Sequence, residues 1–182
     1  LAQIQGGDRG IVALPQTVFT GGTAVAKQFY TVTGEKEAAE LFGINNIASI
    51  KRIFKGGAAQ VLVYTMPPYV VGTTAQDHID MRTGFSARPF NVFVFDGEVT
   101  PQEQDNALTW MKANKEEGKH FGIVFGGSAA DDLVPATGDL RSVRLADEDG
   151  YAMNLIVGAV ELGVQISSAA FAPFIAGLVA KT

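Results

Sequence analysis

A chain of 182 residues, 47% of them hydrophobic, can bury a real core within a single domain. The net charge is −5, with acids and bases spread along the chain and no basic stripe, which argues against a nucleic-acid partner held by its phosphates. The absence of cysteine excludes disulfides, thiolate metal sites and thiol chemistry. The chain opens on Leu1 rather than methionine and carries no signal-peptide pattern, so it reads as a fragment or a processed form.

The first element is the apolar run Ile11-Val12-Ala13-Leu14, a buried strand between Gly10 and Pro15. Residues 28–33 form a second, β-rich candidate. Thr33 is placed to cap a short helix through Leu41, with Glu35 and Glu37 in its first turn and Gly43 ending it. Asn45 or Asn46 can cap a second helix whose apolar positions Ile47, Ile50, Ile53 and Phe54 share a face, and Gly56-Gly57 stops it. Val61-Leu62-Val63-Tyr64 is a near-continuous apolar strand, as expected in a sheet covered on both faces.

Residues 66–74 contain Pro67-Pro68 and Gly72 and read as a connection. Residues 91–95 form the next strand. Thr100-Pro101-Gln102-Glu103 then opens a long helix as a capping box with proline at the first helical position, and Gly118 ends it. Ala107 and Leu108 are expected to face the core. Trp110 lies off that centre, at the core edge or against another chain. Residues 121–125 form a further strand, so this block reads as a βαβ crossover with parallel strands. Residues 131–150 are acidic and loop-like, with at most a short strand at 142–145. The uncharged stretch 162–180 nearly reaches membrane-span length, but Gln165, Ser167, Ser168 and Pro173 interrupt it. A buried helix or helix pair at an alanine- and glycine-rich packing face is the better reading. The expected fold is α/β, a mostly parallel or mixed sheet flanked by helices on both faces in a single domain over 1–182.

Three chemistries can be tested on the residues. Gly126-Gly127-Ser128-Ala129-Ala130 follows a strand, the setting of a nucleophile elbow. Both histidines, His78 and His120, precede Ser128, which is the wrong order for an α/β-hydrolase, and a turn with Ser128 as helix cap is favoured. Gly6-Gly7, Gly21-Gly22 and Gly118-Lys119 lack the helix or the Ser/Thr that a phosphate loop needs. Asp147-Glu148-Asp149-Gly150 fails the calcium-loop spacing, with Tyr151 at the fifth position and Gly158 at the twelfth. No catalytic residue, cofactor site or metal site is expected. Phe90, Phe93, Phe95, Phe121 and Phe125 are expected to stack in the core rather than form a ligand cage.

A series of short motifs runs along the chain in order. These are Arg9-Gly10-Ile11-Val12-Ala13-Leu14-Pro15, Glu40-Leu41-Phe42-Gly43, Phe54-Lys55-Gly56-Gly57-Ala58 leading into Val61-Leu62-Val63-Tyr64, Pro89-Phe90-Asn91-Val92-Phe93-Val94-Phe95, and Phe121-Gly122-Ile123-Val124-Phe125. In this order and spacing the chain, from about Asp8 onward, resembles the tail sheath proteins of contractile phage tails and related injection machines. Two departures stand out. The family's inserted domain after the tyrosine strand is replaced by the connection at 66–74, and the arginine that usually follows the tyrosine is Thr65.

The resemblance implies a structural protein and not an enzyme. It implies a virion-tail subunit, assembled in the host cytoplasm, that packs with its own copies in stacked helical rings around an inner tail tube protein. Contraction of that array would drive the tube through the host envelope. No nucleic acid and no membrane insertion are implied. Family members join through terminal arms, so the resemblance further implies a fragment lacking its N- and C-terminal joining arms. The competing expectation is a small α/β hydrolase-like or anion-binding enzyme using Ser128.

Overall fold

A computed structural model of the protein describes residues 10–67, 74–134 and 152–182. Its centre is a six-stranded sheet. The strands are β1 (Ile11–Gln16), β2 (Phe29–Val32), β3 (Gln60–Thr65), β4 (Val92–Val94), β5 (Gly122–Phe125) and β6 (Ala152–Asn154), in the spatial order β2-β3-β1-β4-β5-β6. β3, β1, β4, β5 and β6 run parallel, and β2 pairs antiparallel with β3. The helices are α1 (Glu35–Phe42), α2 (Ala48–Gly56), α3 (Thr74–Ser86), α4 (Pro101–Glu116), α5 (Ala129–Leu133) and α6 (Ser168–Lys181). The α/β expectation is met, and the β4–α4–β5 unit is the parallel crossover read from the sequence.

Strand alternation sorts the core into two chemically distinct layers. Val12, Leu14, Val61, Val63, Val92, Val94 and Val124 face one side, against Ala38 and Phe42 of α1, Ile50 and Ile53 of α2, and Ala172, Ala176 and Ala180 of α6. The other side is aromatic: Tyr64, Phe93, Phe95 and Phe125 meet Met81 and Phe85 of α3 and Met111 of α4. Trp110 belongs to this layer. Its ring lies 4.7 Å from that of Phe121, and its indole Nε1–H donates to the Ser86 hydroxyl at 2.8 Å. Trp110 is therefore a core-edge residue.

Several local expectations are corrected. β1 does not stop before Pro15 but continues to Gln16. A proline lacks the N–H that a central strand would donate to one of its two neighbours. It is tolerated here because β1 pairs with β4 only at Val12 and Ala13, while pairing with β3 continues past Pro15. Thr33 does not cap α1. The N-cap is Gly34, and the Glu37 carboxylate instead accepts from the Thr33 N–H at 3.1 Å. Asn46 does not cap α2. Its amide turns back to donate to the carbonyls of Thr20 and Phe42, and Ile47 is the N-cap. Thr100 does cap α4, accepting from the Glu103 N–H at 3.3 Å.

Sequence patterning gives no sign of α3. The predicted strand at 142–145 and the acidic run at 147–150 lie outside the described residues, as does Gly6-Gly7. Residues 162–180 are not a helix or helix pair throughout. They begin as the turn and second strand of a hairpin, β7 (Ala159–Glu161) with β8 (Val164–Ile166), and only then enter α6. No helix among the described residues is long and apolar enough to cross a membrane.

Candidate assembly surface

Ser128 is the N-cap of α5. Its hydroxyl donates to the Asp131 carboxylate at 2.8 Å and accepts from the Asp131 N–H at 3.1 Å, and its own N–H donates back to Asp131. This is a closed capping box. His120 precedes β5 and Ser128 follows it, so the two stand at opposite ends of one strand. His78 lies beside Glu103, 3.9 Å away. The serine and the two histidines are thus not gathered into a triad.

The glycines before Ser128 serve packing. A Cβ at Gly126 would stand 2.4 Å from the Ala169 backbone nitrogen, so only glycine lets α6 begin this close to the end of β5. The Gly127 N–H, which an anion would need, donates to the Ser168 hydroxyl at 2.8 Å. Asp132 then accepts from the Ser168 N–H at 2.7 Å, tying α5 to the start of α6. Thr65, where the resembled family carries arginine, is fully buried, and its hydroxyl donates to the Val25 carbonyl at 2.6 Å. An arginine side chain has no room there.

The feature that stands apart is the β7–β8 hairpin. Its strands form a separate two-stranded sheet, pairing only with each other among the described residues. Among the described residues neither outer edge is paired, and an unpaired edge offers backbone donors and acceptors to an added strand. The hairpin also exposes apolar side chains at Val157, Val160, Leu162 and Val164. Leu162 is 97% exposed. It sits in the two-residue turn at φ 50°, followed by Gly163 at φ 78°, the positive-φ pair of a type I′ turn. A leucine with positive φ costs about 1–2 kcal/mol relative to residues that accept this region. One side chain is thus both strained and wholly in water.

The hairpin is not loose on the body. Arg52 of α2 grips Glu161 through two parallel bonds, Nε to Oε2 at 2.9 Å and Nη2 to Oε1 at 3.0 Å. This bidentate hydrogen bond leads the causes that hold the Glu161 carboxyl below its ordinary value, ahead of the guanidinium's charge and that of Lys55. Sequence patterning reads 162–180 as helix and so hides this surface. The available signal was the alternation Ala159-Val160-Glu161 and Val164-Gln165-Ile166 around Leu162-Gly163.

No protein-family model matches the chain, and no curated protein matches it in sequence. Among the solved structures that share its fold are two sheath tail proteins. The sheath tail protein from Desulfitobacterium hafniense aligns with 97% of this chain at 14% identity and a TM-score of 0.69, over 60% of its own length. The sheath tail protein from Listeria innocua aligns with 98% of this chain at 13% identity and a TM-score of 0.67, over 57% of its own length. The chain therefore spans less than two thirds of either protein. At this identity the likeness establishes a common α/β fold.

Proposed function

We propose that this chain is part of a structural subunit of a contractile tail sheath. In this reading, copies assemble in stacked helical rings around an inner tail tube, in the tail of a phage particle or a related injection machine. The 182 residues correspond to the α/β portion of a longer subunit. The observation that carries the proposal is the β7–β8 hairpin, with open strand edges and exposed valines on a fold shared with two sheath tail proteins. A subunit that works through contacts with its own copies needs such a surface.

The mechanism follows from a rigid body with alternative sets of neighbours. Two-sided packing of helices on the sheet makes the domain a stiff unit. Contraction then consists of exchanging one set of subunit contacts for another of lower free energy. The energy is stored at assembly, so no nucleotide is required.

Negative-stain electron microscopy of the longest natural form of the protein at high concentration tests the proposal. Hollow helical tubes or stacked rings are expected. Uniform monomers from a demonstrably complete chain would sink it.

A further inference from the structure

The fold sorts charge along the strand axis. α2, α3, α4 and α6 run opposite to the parallel strands, so their N-termini gather at the strands' C-terminal end and their C-termini at the other. Helix dipoles favour acids at the first end and bases at the second. Asp77 and Glu103 lie in the first turns of α3 and α4, while Lys55 and Lys181 lie in the last turns of α2 and α6. Asp96 and Glu98 add to the acidic end from the connection before α4, with Asp96 bonded to Ser49 in the first turn of α2. Lys27 and Arg82 offset part of this charge.

The acidic end also holds a crevice of about 550 Å³, lined by Pro15, Thr17, Asp77, Asp96, Glu98 and Glu103 among others. It opens where β1 and β4 cease to pair, the point at which the chain's crossovers change direction across the sheet. Such switch points are where open α/β sheets bind ligands. Within the crevice, Asp96 is held by the hydroxyls of Ser49 at 2.6 Å and Thr17 at 3.2 Å. Glu103 is taken up by Arg82 at 3.2 Å. Asp77 is different. It is only 6% exposed, it accepts no hydrogen bond among the described residues, and its nearest cation, Lys27, is 3.9 Å away. Its ion pair with Lys27 is longer than a charge-assisted hydrogen bond. Burial, then Asp80 and Asp77, push the Tyr64 phenol upward, in keeping with a negative field at this end.

We infer that this crevice receives lysine ammonium groups from the opposite end of a second copy of the chain, making a head-to-tail contact. The inference rests on the sheath reading and adds the contact's location and chemistry. The donors are Lys55 and Lys181, both exposed at the far end of the closely packed α2–α6 pair. They cannot serve their own crevice. A six-residue strand such as β1 separates the two ends by about 20 Å, beyond the Debye length of about 8 Å in physiological salt. Unlike surfaces meeting head to tail close into rings or run on as open helical arrays rather than pairing off as a two-fold dimer, as stacked helical rings require.

Charge reversal in the longest natural chain tests this. One variant carries Asp80→Lys with Glu98→Lys, the other Lys55→Glu with Lys181→Glu, all at exposed positions. Each variant, with unchanged circular dichroism, is expected to lose tubes at least about tenfold on its own. An equimolar mixture is expected to recover them, because like-charged ends alternate with opposite ones. Wild-type assembly should also weaken as salt is raised. Tubes from either variant alone at wild-type yield, or no recovery on mixing, would overturn the inference while leaving a tube-forming wild type as a sheath. A complete wild type that forms no tubes would overturn the sheath reading and this inference with it.

Discussion

Gly177 and Ile53 bring the backbones of α6 and α2 into contact. A Cβ on Gly177 would stand 2.0 Å from the Ile53 carbonyl oxygen. Gly56 repeats the arrangement in reverse, with 2.2 Å to the Phe174 carbonyl oxygen. Neither neighbour is a side chain that can swing away. Gly177→Ala is therefore expected to destabilise the fold by about 1–3 kcal/mol, the usual cost of overpacking. Urea unfolding with an unchanged m-value would record it, and a wild-type midpoint would show that the two helices can separate without penalty.

Leu162 offers the opposite experiment. Leu162→Asn removes an exposed leucine from positive φ and replaces it with a residue that tolerates the turn. The isolated chain is expected to gain about 1 kcal/mol. Tube formation by the longest natural chain should weaken, because the leucine at the hairpin tip is lost. A variant that is both more stable and equally proficient at assembly would remove Leu162 from the contact surface.

The Arg52–Glu161 pair predicts a pH response confined to the hairpin. Glu161 is depressed chiefly by the Arg52 hydrogen bond. A carboxylate depressed in the folded state stabilises fully above its unfolded pKa, and that stabilisation is lost as pH falls through the lower folded value. Protection factors of the amides of Ala159–Glu161, corrected for the intrinsic pH dependence of exchange, should thus fall in acid below the ordinary glutamate range and stay flat around neutrality. Arg52→Ala should show the accelerated exchange at neutral pH, with global stability down by only about 0.2–1 kcal/mol. Identical hairpin exchange in wild type and variant at neutral pH would mean the pair does not hold the hairpin.

Ser128→Ala separates a cap from a nucleophile. The closed bond set with Asp131 makes the change a loss of helix capping worth about 1 kcal/mol. Faster amide exchange in α5 is expected, and hydrolysis of simple esters should stay at the uncatalysed rate in both proteins. An esterase activity present in wild type and absent in the variant would revive the hydrolase alternative.

The sequence signals succeeded where two levels agreed. β3 is a continuous apolar run that is also buried on both faces, and α4 has its cap and buries Ala107 as expected, although Leu108 is only partly buried and Met111 takes the core position. They failed where tertiary context overruled a local rule. Pro15 extends a strand because only one neighbour still needs its backbone. α3 buries Met81 and Phe85 together with the polar Asp77, so its pattern does not read as a clean apolar stripe. The hairpin was masked because its turn uses leucine where Asn or Gly would have announced it. The acidic crevice was illegible for another reason: Asp77 and Asp96 are close only after β1, β4 and α3 have taken their places.

The placement of α6 bears on how the protein is made. Ala172, Ala176 and Ala180 complete the aliphatic layer formed by β1, α1 and α2, elements encoded at the other end of the chain. Until α6 has left the ribosome, Val12, Leu14, Ile50 and Ile53 lack the part of their cover that its alanines supply. The nascent chain must therefore wait in a state with exposed apolar surface, the kind of intermediate that aggregates or recruits a chaperone. The same delay keeps the α2–α6 face unformed until α6 has been made.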